Sequence, residues 1–271
     1  RGLIIPDLVR ADRYLSFIGY YRLSAYTIPF QMLNNIYLLP NESANFPISH
    51  IPFIYAPLTE RIIPHKYKDN TSFDDVLNLY IFDRELRLLV MDAIERIEVA
   101  IRAQICNVLC DQSGDSFWYT DEQHFSHNYA HMRLLASIER QLMDEKSRLE
   151  RDEKAIDKRP LSQADKDVLK DKVRKENFLR HYLSKYDNPK LPPSWMMIEM
   201  LTWGELSHLY VGLKSNPAKK HIAQNLGIHA EVLESWLKSL NDVRNLCAHH
   251  SRLWNKEHGR SIKIPTSNTI Q

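Results

Sequence analysis

Glycine is scarce in this chain, at 7 of 271 residues. Scarce glycine among long charged and apolar stretches argues for helices over a turn-rich β fold. Cysteine is scarcer still: Cys106, Cys110 and Cys247. So small and odd a number excludes a disulfide framework and points to a reducing compartment. Cys106 and Cys110 stand at helical i,i+4 spacing, but no His or Cys follows at zinc-finger spacing, so neither a metal nor a cofactor is expected. No run of about 18 apolar residues is present, which excludes a membrane helix. No signal peptide is apparent, and the expected location is cytoplasmic. An excess of one charge sign is missing too: 36 Lys and Arg face 34 Asp and Glu. A total so nearly balanced neither requires nor excludes a nucleic-acid partner, because one face can be basic on its own.

What is present reads as a globular all-α protein. Hydrophobic residues make up 44% and charged residues 26%, ordinary values for a folded chain. Residues 1–39 form a helical pair, with Leu8, Leu15 and Ile18 near one face and a Tyr-rich restart at Tyr20, Tyr21 and Tyr26 after Gly19. Residues 40–71, punctuated by Pro40, Pro47, Pro52, Pro57 and Pro64, read as a loop or irregular lobe. Ser72 to Cys110 is the strongest helix, a spine for the fold, and Gly114 follows its end. Ser72 and Asp75 resemble a capping box with Asp in the usual Glu position. Leu79, Phe82, Leu86, Leu89 and Val90, then Ile94, Ile97, Ile101 and Ile105, recur at helical spacing.

Residues 129–185 read as a charged helical hairpin, broken at Pro160 and resuming from Ser162 to about Lys185. Two readings stand for it: a solvated face laced with i,i+4 ion pairs, or an arm that contacts RNA or a partner. Helices follow at Ser194–Leu201, Trp203–Leu213, Asn216–Leu226 and His229–His250; Asn216 is a cap for the third, Gly227 closes it, and the tail at 256–271 reads as extended or loosely packed. The helical core is thus assigned to 72–128 and 186–255.

The chemistry-bearing stretch is Arg244-Asn245-Leu246-Cys247-Ala248-His249-His250. Asn245 and His249 share a helix face at i,i+4, and the long Arg244 side chain swings toward it. Cleaving RNA without a metal requires a proton taken from the 2′-hydroxyl, a proton given to the leaving oxygen, and stabilisation of charge on phosphorus. Imidazole, with an unperturbed pKa of about 6.5, suits the proton transfers. Guanidinium suits the phosphate oxygens. One helix end supplies half of what two-sided proton transfer needs, and a twofold dimer would bring two copies together.

This segment matches the R-N-x-x-x-H form of the R-x(4–6)-H motif of HEPN domains. With IGYYRLSAY (Ile18 to Tyr26), LYIFDRELRLLVMDAIERIEVAIRAQI (Leu79 to Ile105), LTWGELSHLY (Leu201 to Tyr210) and RNLCAHHSRLWN, the chain resembles the Abi-like family of bacterial abortive-infection proteins, the AbiD/AbiF group. The resemblance implies a HEPN-type helical bundle and a metal-independent endoribonuclease leaving 2′,3′-cyclic phosphate ends. It also implies a homodimer that pairs two motifs, and a role in phage defence or toxin–antitoxin behaviour, with RNA as substrate and a small RNA as regulator. Arg244 would then contact the scissile phosphate, His249 act as general acid or base, and Asn245 orient it. His250 satisfies the motif at one residue's longer spacing and competes with His249 for the role.

Alternatives stand beside each residue. Arg244 could pair with Asp242, and the two His could meet the carbonyls of a helix end. Arg252 is a candidate phosphate contact. Arg102 either pairs structurally with Glu98 at i,i+4 or reaches the RNA. For the whole chain, the alternatives are a non-catalytic module holding a regulatory RNA and a protein-interaction scaffold.

Overall fold

The structure, a computed structural model, describes residues 4–18, 20–30, 67–186, 188–214 and 217–265, with the side chains of residues 20 and 21 left aside. Within them the fold is all-α, with no strand beyond two isolated bridges. The helices are α1 (Leu8–Ile18), α2 (Tyr20–Thr27), α3 (Phe73–Ser113), α4 (His131–Asp157), α5 (Gln163–Lys175), α6 (Phe178–Lys185), α7 (Ser194–Met197), α8 (Trp203–Gly212), α9 (Pro217–Asn225) and α10 (Ala230–Ala248). Nearly all of the Pro-rich segment lies outside the described residues, as does Asn216, the expected cap of α9.

The chain forms two compact units. The first comprises residues 1–90 and 246–256, and the second residues 91–245 and 257–271. In the first unit, Ser72 caps α3 by the reciprocal bonds expected of it. Its Oγ accepts from the Asp75 amide at 3.3 Å, and the Asp75 carboxylate accepts from the Ser72 amide at 2.8 Å. Ala11, Leu23, Phe73 and Leu77 form the apolar core of this unit, with Tyr14, Leu15, Ile18 and Tyr80 packed around it.

The periodicity of α3 differs from expectation at its middle. Phe82 and Leu89 are exposed, at 49% and 71%, while Asp83 and Arg87 are buried at 0% and 4%. The buried face runs Phe73, Leu77, Asp83, Arg87, Ile94, Ile101 and Ile105, so a charged pair interrupts an otherwise apolar stripe.

The second unit is built on buried aromatic and aliphatic residues; the polar ends of Tyr119, Tyr182, Trp203 and Tyr210 are satisfied, while the Trp118 indole N–H has no partner among the described residues. Trp203 Nε1 donates to the Leu237 carbonyl at 3.0 Å, and Tyr119 donates through its hydroxyl to the Pro192 carbonyl. Buried Lys219 donates to the Val211 and Leu213 carbonyls at the end of α8 and pairs with Glu234 at 2.6 Å. A genuine capping box starts α8: Thr202 Oγ1 accepts from the Glu205 amide, and the Glu205 carboxylate accepts from the Thr202 amide.

The charged hairpin consists of three helices where two were expected. The Asn177 side chain accepts from the Leu179 amide at 2.8 Å, starting α6 anew and ending the run from Ser162. Arg180 of α6 binds Glu145 and Asp152 of α4, Arg174 of α5 binds Glu153, and Lys170 binds Asp157. The tail, expected to be loose, runs back along α10. Trp236 Nε1 donates to the Lys263 carbonyl at 2.9 Å, and Arg260 pairs with Asp242 at 3.1 Å.

Candidate active site

The R-N-x-x-x-H segment spans the last turns of α10 and the residues just beyond. Arg244 and Asn245 are half-buried and belong to the second unit. Neither side chain has a hydrogen bond or ion pair among the described residues. Asp242, the carboxylate that would occupy Arg244 in a purely structural role, is taken by Arg260.

His249 and His250 are exposed and belong to the first unit, and their side chains too have no partner among the described residues. Their backbone ends the helix in a Schellman motif. The His250 amide donates to the Cys247 carbonyl at 3.0 Å, and the Ser251 amide donates to the Leu246 carbonyl at 2.9 Å. This closure places His250 in the left-handed region at φ 55°, where glycine is the usual occupant because a Cβ there costs about 1–2 kcal/mol. The imidazole of His250 is therefore held at a backbone position that disfavours it, and His249 stands at the C-cap before it.

The chain after the histidines is fixed by the buried pair of α3. The Asp83 carboxylate accepts from the Leu253 amide at 3.1 Å and the Trp254 amide at 2.6 Å. It also accepts from the Tyr26 hydroxyl at 2.5 Å and from Arg87. Arg87 donates in addition to the Tyr26 hydroxyl at 2.8 Å and to the Ser251 carbonyl at 3.3 Å. Burial, then the hydrogen bond to Asp83, pushes the Tyr26 phenol well above its ordinary range, so it stays a donor. Cys247 packs beside the same pair, its thiol pushed up by burial. One carboxylate thus binds two amides of an irregular segment, a phenol and a guanidinium.

Two candidates occupy structural positions. Arg252 donates to the Ala25 carbonyl at 3.2 Å, tying the segment to α2. Arg102 is engaged in the second unit: it pairs with Glu98, reaches Glu199 at 2.9 Å and donates to the Leu201 carbonyl at 2.8 Å. Sequence reading missed Tyr26, Asp83 and Arg87 as site-building residues. The available signal was an Asp and an Arg at i,i+4 in register with the apolar stripe of α3.

Cys106 and Cys110 share the Ser194 hydroxyl, at 3.6 and 3.1 Å. Among the described residues no helix is long and apolar enough to cross a membrane, and no cluster of His, Cys, Asp or Glu forms a metal cradle.

An all-α chain with an R-N-x-x-x-H segment at a helix end is the class that fold and site define. A family model described as Abi-like protein matches residues 13–255, and the chain belongs to that family. No curated protein and no solved structure matches it.

Proposed function

We propose that this protein is a metal-independent endoribonuclease of the HEPN superfamily, within the AbiD/AbiF group, acting in bacterial abortive infection or a toxin–antitoxin pair. The active form is a homodimer in which two Arg244–His249 sets meet around one phosphodiester. Arg244 binds the phosphate and stabilises the charge that develops on it. His249 of each copy serves the proton transfers, one as base toward the 2′-hydroxyl and one as acid toward the leaving 5′-oxygen. Asn245 orients the imidazole.

The observation that carries this reading is the contrast in side-chain commitment. Arg244, Asn245, His249 and His250 have no partner among the described residues. The backbone immediately after the histidines is held by buried hydrogen bonds to Asp83 and Arg87. Uncommitted guanidinium, amide and imidazole groups are what a reaction with phosphate needs.

The test is incubation of the purified chain with single-stranded RNA in EDTA. Cleavage to 2′,3′-cyclic phosphate ends is expected, with a loss of at least about 10³-fold in both Arg244→Ala and His249→Ala, since each change removes a group acting in the transition state. Undiminished cutting by both variants would remove the segment from the mechanism. RNA binding that persists in His249→Ala, with no products from the unaltered chain, would favour a module that holds a regulatory RNA instead.

A further inference from the structure

A cavity of about 570 Å³ lies in the second unit beside the start of α4 and one face of α8. Tyr129, Arg133, Ser137, Arg140, Glu205 and His208 line it. Arg133 and Arg140 are two turns apart on one face of α4. Both are exposed, and neither has a hydrogen bond or ion pair among the described residues. By contrast, Arg96, Arg102, Arg148, Arg174, Arg180 and Arg260 of the same unit each hold a carboxylate. His208 likewise has no partner among the described residues.

The one carboxylate on the wall does not neutralise them. Glu205 accepts from the Thr202 amide at 2.8 Å, the Thr202 hydroxyl at 2.9 Å and the Ser137 hydroxyl at 3.0 Å. Burial opposes its charge, but those bonds and the positive field of Arg140 outweigh burial and hold it below the usual carboxylate range. Arg140 therefore acts on Glu205 from beyond ion-pair distance and keeps its own donors.

The aromatic residue of the wall narrows the ligand chemistry. Tyr129 stacks on Phe125 with centroids 4.8 Å apart and planes 14° from parallel. Gly212 presses against the ring, where a Cβ would stand 2.1 Å from Tyr129 Cδ2. With its surface covered in this way, the ring offers no platform to a base and presents its edge and hydroxyl. Burial, then the charge of Glu205, pushes that phenol up to about 12, so it stays a donor at neutral pH. The cavity offers two guanidinium forks, an imidazole and a phenol, all without internal acceptors, and no stacking surface.

We propose that this cavity is a phosphate-binding site distinct from the R-N-x-x-x-H segment, in which Arg133 and Arg140 grip the phosphate oxygens while His208 and Tyr129 donate from the side. The phosphate is either the terminal group of a nucleotide or a phosphodiester of an RNA strand. The site stands on its own geometry, whether or not the protein cuts RNA.

The test uses the full chain carrying His249→Ala, so that RNA probes stay intact. Inorganic phosphate, adenosine 5′-monophosphate, adenosine and a ten-nucleotide RNA with a 5′-hydroxyl are titrated by calorimetry at low salt. Arg133→Gln with Arg140→Gln is compared with a control that removes two charges at the far end of α4 and its C-cap, Lys154→Gln with Lys158→Gln. All four positions are exposed, and circular dichroism checks that both variants are folded. Phosphate-bearing probes are expected to bind the parent chain and to lose at least about tenfold in the arginine variant, with adenosine silent and the lysine control unchanged. A loss confined to the monophosphate assigns a terminal phosphate, and a loss confined to the RNA assigns a strand. Equal affinities in parent and arginine variant, an equal loss in the lysine control, or no binding by any probe would overturn the site.

Discussion

Two carboxylate–guanidinium systems hold this protein together, and they do different work. In the first unit, Asp83 and Arg87 are one turn apart on the same helix and wholly buried. In the second, Arg180 joins α6 to α4 through Glu145, which is buried, and Asp152, which is half exposed. The Arg180 system links two regular helices whose backbones are already satisfied, so it adds a latch between formed elements. The Asp83 system binds backbone that no helix satisfies: the amides of Leu253 and Trp254 and the carbonyl of Ser251. A buried charge pair costs desolvation energy and is poor value as a latch. Where irregular backbone must be held, it supplies a directional anchor that apolar packing does not.

The largest expected effect breaks the first system. Asp83→Ala strands Arg87 in the interior and leaves two amides and a phenol without an acceptor, a loss of about 3–5 kcal/mol in urea unfolding. Arg180→Ala, the matching change in the second system, should cost only about 1 kcal/mol, because Arg148 still pairs with Glu145 and solvent reaches the half-exposed Asp152. Equal costs would mean that the two pairs are of one kind. The double change Asp83→Leu with Arg87→Met sharpens the contrast. It removes both buried charges together and should recover most of the stability. RNA cleavage should nevertheless stay impaired, because no carboxylate then binds the Leu253 and Trp254 amides. Recovery of both stability and cleavage would reduce Asp83 to packing.

His250→Gly probes the same segment from the backbone side. Relief of the left-handed strain at φ 55° should raise stability by about 1 kcal/mol. If His249 carries the proton transfers, cleavage survives the change. If cleavage is lost while stability rises, the imidazole at the strained position is the catalytic one.

Legibility of the sequence followed the same division. Helix existence was readable from apolar spacing, and the Ser72–Asp75 cap and the left-handed stops at Gly114 and Gly227 were readable from local chemistry. The break at Asn177 was missed because its cap sits in a run of charge with no change in periodicity. Asp83 and Arg87 were missed for the opposite reason. Phe82 and Leu89 supplied an equally regular apolar pattern on a neighbouring face, and only tertiary packing decides which face is buried. Arg244, Asn245, His249 and His250 stood out because short-range motifs survive without tertiary knowledge. Their support, supplied by a residue more than 160 positions earlier, leaves no local trace.

The smallest expected effect lies at the start of α8, where a carboxylate again accepts from backbone, but at an exposed helix end. Thr202→Ala removes a hydroxyl that both accepts from the Glu205 amide and donates to its carboxylate, and should cost about 1 kcal/mol. The same bonds hold the Glu205 carboxyl below its ordinary range. A carboxyl depressed in the folded state contributes stability that is complete above its unfolded value near 4.5 and fades as pH falls through the lowered one. Acid unfolding of Glu205→Gln should therefore start from a slightly lower stability at neutral pH and fall less steeply below about pH 4.5. Unchanged steepness would place the acid sensitivity of this helix start in another group. A drop as large as that of Asp83→Ala would show that an exposed cap and a buried clamp are not the separate devices their geometry describes.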